Sequence, residues 1–432
     1  AGSGRCRLND PDRAAAKHFK SSRHKETIGA LPCKEICTFS ANVNPMNIHR
    51  LRQVPLYLFC ILVVCSCGKH TPKGLGTTGK LGMVVTAHPE ASKIGLTILQ
   101  HGGNAMDASV AVEFALAVCY PAAGNIAGGG FWVVRTSANK FYSLDYREKA
   151  PKAATRDMFV QPDGTVAPGL SSQSILAAGV PGTVDGMVKA HQKFGSMPWS
   201  AVIQPAIDLA RNGFHITKAQ AISLNAIKNT LMERNSFQSA FVNDSSWNEG
   251  DLLVQPDLAC TLERIRDQKR EGFYGGITAD YIIKQMQESG GIITLDDLHD
   301  YQSVWRDPIM GTYRDYHFYS MAPPSSGGVA LKQLLGILSH WNIKESGHNT
   351  IASVHYMAEA EKRVYADRAE YLGDPDFIKI PIAQLTDKKY LDKRAKEINK
   401  EKATPSDSIH AGILEKQESL ETTHYSVADQ WG

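Results

Sequence analysis

The rhythm of apolar and polar positions changes several times along the chain. Met83 to Ala87 is a short apolar run suited to a buried strand, and Glu90 to His101 spaces Ile94, Leu96, Ile98 and Leu99 among polar positions, as a helix does. Gly102-Gly103-Asn104 breaks that pattern. Ala105 to Val118 is almost entirely Ala, Val, Leu and Phe, which predicts a helix buried on most sides, and Pro121 to Gly130 ends it in a glycine-rich turn. Phe131 to Thr136 and Lys140 to Asp145 predict a β-hairpin turning at Ser137-Ala138-Asn139. Residues 180–300 carry helical patterns punctuated by Asn212-Gly213 and Gly290-Gly291; Tyr316 to Met321 is a strand before Pro323-Pro324, and Val354 to Tyr371 a helix. There is no internal repeat, heptad array or low-complexity tract, so one layered α/β body is expected rather than separate modules.

Composition fits this picture: 432 residues, 43% of them hydrophobic and 21% charged, exclude disorder for most of the chain. The formal charge of +3 misleads, because residues 1–67 hold 10 Lys+Arg against 4 Asp+Glu, leaving 37 against 40 in 68–432. The body is therefore slightly acidic and offers no basic domain for nucleic acid. Cysteines follow the same asymmetry. Cys6, Cys33, Cys37, Cys60, Cys65 and Cys67 precede residue 68, whereas only Cys119 and Cys260 follow it, so no disulfide framework is expected. Cys33 and Cys37 lack a second Cys/His pair at metal-ligand spacing, and no metal site is assigned.

The leader reads as a targeting signal. Met46, the first methionine, precedes Arg50 and Arg52 as a positive segment and Leu56 to Val64 as an apolar stretch too short to span a membrane. Val64-Cys65-Ser66-Cys67-Gly68 resembles a bacterial lipobox and makes Cys67 the expected lipid anchor; a plain signal peptide cut near the same place is the alternative. Residues 1–45 are set aside as upstream translated sequence or an assembly artefact, 46–67 are the signal, and 68–80 a Gly/Thr/Lys-rich tether.

Four segments invite chemical readings. Gly124 to Gly130 could cradle a phosphate, but it precedes a strand rather than a helix, so close backbone packing is the better account. Arg147, in Asp145-Tyr146-Arg147-Glu148, leaves the end of a predicted strand with a planar fork suited to a carboxylate, though most such arginines make ordinary surface ion pairs. Ala322 to Gly328 contains Ser325-Ser326 without the Gly-x-Ser-x-Gly elbow and reads as a rigid Pro-Pro turn. Glu359 to Arg368 reads as the exposed side of a helix, its Lys and Arg pairing Glu and Asp one turn away; Gly373 to Asp376 is a turn without EF-hand spacing.

Near the end, Thr423 to Val427 alternates like a strand and Asp429 to Gly432 like the turn after it. Here the sequence resembles the gamma-glutamyltransferase (glutathione hydrolase) family, whose bacterial members show Thr-Thr-His-Tyr-Ser-Val, as at 422–427, where the precursor cuts itself. The resemblance covers roughly 81–432 and includes Gly102 to Ala108, Gly128 to Phe131, Asp145 to Glu148, Pro181-Gly182-Thr183, Pro323 to Gly328 and Tyr371 to Pro375. It implies an N-terminal-nucleophile hydrolase, an α+β, four-layer αββα sandwich, with 81–421 as the large subunit and 422–432 as the start of the small one.

Thr422 then matches the nucleophile. It attacks the carbonyl of Glu421 to free its own amine, then uses that amine as base while attacking the γ-amide of glutathione or another γ-glutamyl compound. Water or an amino acid or dipeptide acceptor resolves the γ-glutamyl ester. Arg147 matches the residue gripping the glutamate α-carboxylate. The resemblance implies no cofactor, and a cell-envelope location with a membrane reached only through the lipid anchor. Because the chain stops at Gly432, the family's second threonine, acidic residues and paired Ser and Gly cannot be assigned, and a fold so truncated is expected to leave strand edges open and to be inactive alone. A related β-lactam side-chain acylase and a non-catalytic lipid-anchored binding protein are the alternatives.

Overall fold

The computed structural model describes residues 76–235, 237–411 and 426–430. β1 (Met83–Val85) leads into α1 (Pro89–Gln100), and Gly102 and Gly103 separate α1 from α2 (Ala105–Cys119), as the pattern predicted. Asn104 starts α2 with a capping box: its side chain accepts from the N–H of Met106 and Asp107, while the Asp107 carboxylate accepts from the Asn104 N–H. Every residue from Asp107 to Cys119 is buried, because α1, α3 (Thr183–Phe194) and α4 (Trp199–Asn212) pack round this helix. A helix with no polar face has no side to give to water.

The hairpin is β2 (Phe131–Arg135) against β3 (Phe141–Asp145), paired from Phe131↔Asp145 to Arg135↔Phe141. Asn139 turns it with φ 57°, a left-handed conformation that asparagine tolerates. Trp132 and Val134 point into the core while Val133 faces out, the alternation of a half-buried strand. A third strand, β4 (Val304–Arg306), joins the free side of β3 with Asp145 opposite Val304 and Ser143 opposite Arg306. It arrives from α5 (Lys218–Arg234), α6 (Pro256–Gln268) and α7 (Gly276–Ser289), the helical region expected within 180–300. A second antiparallel pair, β5 (Ile309–Tyr313) with β6 (Tyr316–Ser320), follows, and β7 (Ser426–Ala428) returns to pair antiparallel with β1. The class is mixed α+β, and Gly79–Gly432 forms one compact unit.

A smaller apolar cluster, including Ile337, Leu338, Ala360, Val364 and Leu391, joins α8 (Gly327–Leu338), α9 (Ile351–Tyr371) and α10 (Lys388–Lys396). The predicted ion pairs form, with Glu359 accepting from Lys362 at 2.8 Å and Arg363 at 2.9 Å, but Glu359, Arg363 and Asp367 are buried, not exposed. α10 and the irregular segment after it lie over this face: Arg394 donates to Asp367 at 2.7 Å, Arg363 to the Glu397 carbonyl, and the Thr404 N–H to Glu359 at 3.1 Å. Charged side chains survive burial when each finds a partner.

Burial pushes the Glu359 carboxyl up, but hydrogen bonds from Lys362, Thr404 and Arg363 outweigh it and hold the group at about 2 against an ordinary 4.5. The unfolded chain binds the proton first as pH falls, so the contribution of this ionised group is complete above about 4.5 and disappears towards 2. Glu359→Gln is therefore expected to lower stability at pH 7 by roughly 2–3 kcal/mol, with the gap to the parent narrowing between pH 4.5 and 3. Urea midpoints at pH 7, 4 and 3 measure it; an equal gap at all three would refute the ionic account.

Candidate active site

Arg147 sits two residues beyond the last residue of β3, where the chain leaves the three-stranded sheet. Its backbone is fixed from both sides: the N–H donates to Asp145 Oδ1 at 3.1 Å, and the carbonyl accepts from the Tyr301 hydroxyl at 2.8 Å. Burial, together with Tyr274 and the carboxylates of Asp145, Asp185 and Glu148, pushes the Tyr301 phenol far up, so it remains a protonated donor. The Arg147 side chain itself is exposed, and its guanidinium makes no hydrogen bond or ion pair among the described residues. The surface ion pair that the Asp and Glu neighbours suggested is absent there. Asp145 instead turns away from it, and its second oxygen accepts from Arg306 Nε at 2.8 Å.

Glycines bring the neighbouring loops this close. A Cβ on Gly182 would collide with the Tyr146 carbonyl and the Tyr301 hydroxyl, and one on Gly129 would stand 2.5 Å from the Tyr146 carbonyl and 2.6 Å from the Glu148 nitrogen. Gly182 and Thr183 both donate backbone N–H groups to the Gly128 carbonyl, and Asn125 Oδ1 accepts from the Gly128 N–H at 2.9 Å and the Thr183 hydroxyl at 2.7 Å. The Gly124 to Gly130 run is thus a packing device, as expected, and Pro181-Gly182-Thr183 is its counterpart. Together they pack against the backbone on either side of Arg147, at Tyr146 and Glu148.

Two residues within this arrangement escaped the sequence reading. Arg306 forks both terminal nitrogens onto Asp376, each at 3.1 Å, and holds that carboxyl below its ordinary range. Tyr301 stacks on Tyr274 with centroids 5.9 Å apart, beneath the Lys149 ammonium. Spacing gave no signal for either, since Arg306 lies 161 residues from Asp145 and Tyr301 154 residues from Arg147.

Thr422, Glu421 and Cys67 lie outside the described residues. Just downstream of the expected cut, β7 is held in register by β1, with Met83↔Ala428 and Val85↔Ser426. The Asp429 carboxylate then accepts from the Ala105 N–H at 3.0 Å, at the first turn of α2. A carboxylate is favoured at that helix terminus, where the backbone donors have no partner within the helix. The Gly102 to Ala108 segment thus anchors the chain that follows Thr422. At the Pro323-Pro324 turn, expected to be structural, Ser326 accepts from Arg368 Nε at 2.9 Å among the described residues.

A family model described as Gamma-glutamyltranspeptidase matches residues 91–432. The Glutathione hydrolase proenzyme of Escherichia coli is 45% identical over 355 residues, 82% of this chain and 61% of the relative. The crystal structure of Helicobacter pylori gamma-glutamyltranspeptidase superposes with a TM-score of 0.75 at 42% identity, covering 80% of this chain and 100% of that one. The Acylase ACY 1 proenzyme of a Pseudomonas species is 38% identical over 365 residues, 82% of this chain and 64% of the relative. This chain spans about three-fifths of the length of these curated relatives.

Proposed function

The chain belongs to the gamma-glutamyltranspeptidase family, with the fold of the N-terminal-nucleophile hydrolases, and from that membership we propose that it is the large-subunit part of a self-cleaving glutathione hydrolase precursor. The observation that carries the reading is the Arg147 guanidinium, unpaired among the described residues on a backbone tied down at both its N–H and its carbonyl. A fork held in this way receives a carboxylate without first breaking an internal ion pair. The α-carboxylate of a γ-glutamyl group is such a ligand. The acylase reading rests on the lower identity, 38% against 45%, and the binding-protein reading on no relative named above.

In this proposal 81–421 is the large subunit and Thr422 begins the small subunit, which is its partner. The Thr422 hydroxyl adds to the Glu421 carbonyl and displaces the peptide nitrogen to form an ester; water cleaves the ester and leaves a free amine on Thr422. In turnover that amine takes the hydroxyl proton as oxygen attacks the γ-amide, and returns it to the departing amine of cysteinylglycine. The γ-glutamyl ester then passes to water or to an amino acid or dipeptide. The register of β7 and the Asp429 contact at α2 fix the chain at Ser426 to Asp429, a few residues beyond Thr422, which supports this reading. The signal-like segment 46–67 and the lipobox-like Cys67 support a cell-envelope location, with Cys67 as a lipid anchor.

In the complete precursor, Thr422→Ala is expected to give a single uncut, inactive polypeptide and Thr422→Ser slow cutting with residual activity, while Thr423→Ala still cuts. Mass spectrometry of the new N-terminus reads the position, and a cut before Thr423 would displace the nucleophile by one residue. Arg147→Lys keeps the charge but loses the fork; charge-assisted hydrogen bonds contribute about 1.5–3 kcal/mol each, so KM for glutathione should rise tenfold or more with self-cleavage retained. An unchanged KM refutes the role, and faster turnover of a glutaryl-lactam than of glutathione would favour the acylase. Cys67→Ser should abolish incorporation of labelled palmitate during bacterial expression; lack of label in the parent would leave a plain signal peptide.

A further inference from the structure

Arg306 is placed where its three side-chain nitrogens are all engaged. Nε donates to Asp145 at 2.8 Å, and the two terminal nitrogens donate to the two oxygens of Asp376 at 3.1 Å each. Its side chain is 13% exposed and that of Asp145 6%, so this pair is screened little by solvent; Asp376, at 39%, lies at the rim. The Arg306 backbone is registered as well, because β4 pairs with β3 and the Ser143 hydroxyl donates to the Arg306 carbonyl at 2.8 Å. The oxygen of Asp145 that Arg306 leaves free is the one that accepts the Arg147 N–H. Segments 145–148 and 373–376, far apart in sequence, therefore meet through one guanidinium.

We propose that Arg306 is a positioning residue for the α-carboxylate of the γ-glutamyl substrate, acting through Asp145 on the backbone of Arg147, with Asp376 fixing its far end. The inference rests on the assignment of Arg147 to that carboxylate. Without Arg306, Asp145 becomes a buried carboxylate short of a donor, and it can relieve this by rotating towards the Arg147 guanidinium two residues away. That rotation occupies the fork meant for substrate. A lysine at 306 supplies charge at one point and cannot hold Asp145 and Asp376 together. Ground-state binding of the carboxylate then suffers while the chemical step does not.

The test uses the mature two-subunit enzyme and γ-glutamyl-p-nitroanilide. Arg306→Lys is expected to raise KM five- to tenfold with kcat within twofold, and Asp376→Asn to raise it about threefold. The double variant Arg147→Lys/Arg306→Lys should be no worse than Arg147→Lys alone, since both changes act on one contact. With 4-aminobutyryl-p-nitroanilide, which lacks the α-carboxylate, parent and Arg306→Lys should have equal kcat/KM. If KM is unchanged, or the two losses multiply, or the carboxylate-free substrate suffers as much, Arg306 is merely structural. Should Arg306→Lys fail to mature, Asp376→Asn at the exposed rim carries the test, and an unchanged KM there overturns the proposal. A parent enzyme with no turnover of γ-glutamyl-p-nitroanilide removes the functional reading and this inference with it, an outcome distinct from active parent and indifferent variants.

Discussion

The turn that carries Arg147 out of the three-stranded sheet depends on the buried carboxylate of Asp145. One oxygen takes the Arg147 N–H and the other the Arg306 guanidinium. Removing a carboxylate from water is costly, and a buried ion pair contributes little net stability compared with apolar groups of similar shape. What it supplies here is geometry. β3 delivers Asp145 in register with β4, which delivers the guanidinium, so sheet pairing and ion pairing fix the same turn. Tyr301 closes the other side through the Arg147 carbonyl.

Local pattern made much of this legible. The nearly polar-free stretch at 105–118 could only be a buried helix, and the alternation around Asn139 gave a hairpin whose ends the structure reproduces within a residue. The face from Glu359 to Asp367 was misread for a definite reason. Periodicity reports neighbours within one helix, and nothing within α9 announces that α10 and the segment to Thr404 will cover it. Arg306 was invisible on the same ground: its partners come from segments 161 residues before it and 70 after it.

Most of the matched motifs prove to be scaffolding. Asn104 and Asp107 cap α2, and Asp107, fully buried, also accepts from the N–H groups of Ser196 and Met197 and from the Ser196 hydroxyl. The glycines at 128–130 and 182 permit loops to touch. A motif of this kind marks a family because the same close approach must be rebuilt each time, whereas the chemistry rests on a few groups placed upon it. Acylases and glutathione hydrolases can therefore share the frame at similar coverage.

The pairing of β1 with β7 has a consequence for how the chain is made. Val85 waits for Ser426, its partner 341 residues later, and at about 5–20 residues per second the ribosome takes roughly 20–70 s to deliver it. Throughout that interval β1 is an open edge and the donors at the start of α2 lack the Asp429 carboxylate. Contacts of such sequence separation form late and slow folding. Synthesis of 426–429 thus becomes a checkpoint: until Ser426 to Asp429 emerge, neither the edge of β1 nor the first turn of α2 can be completed.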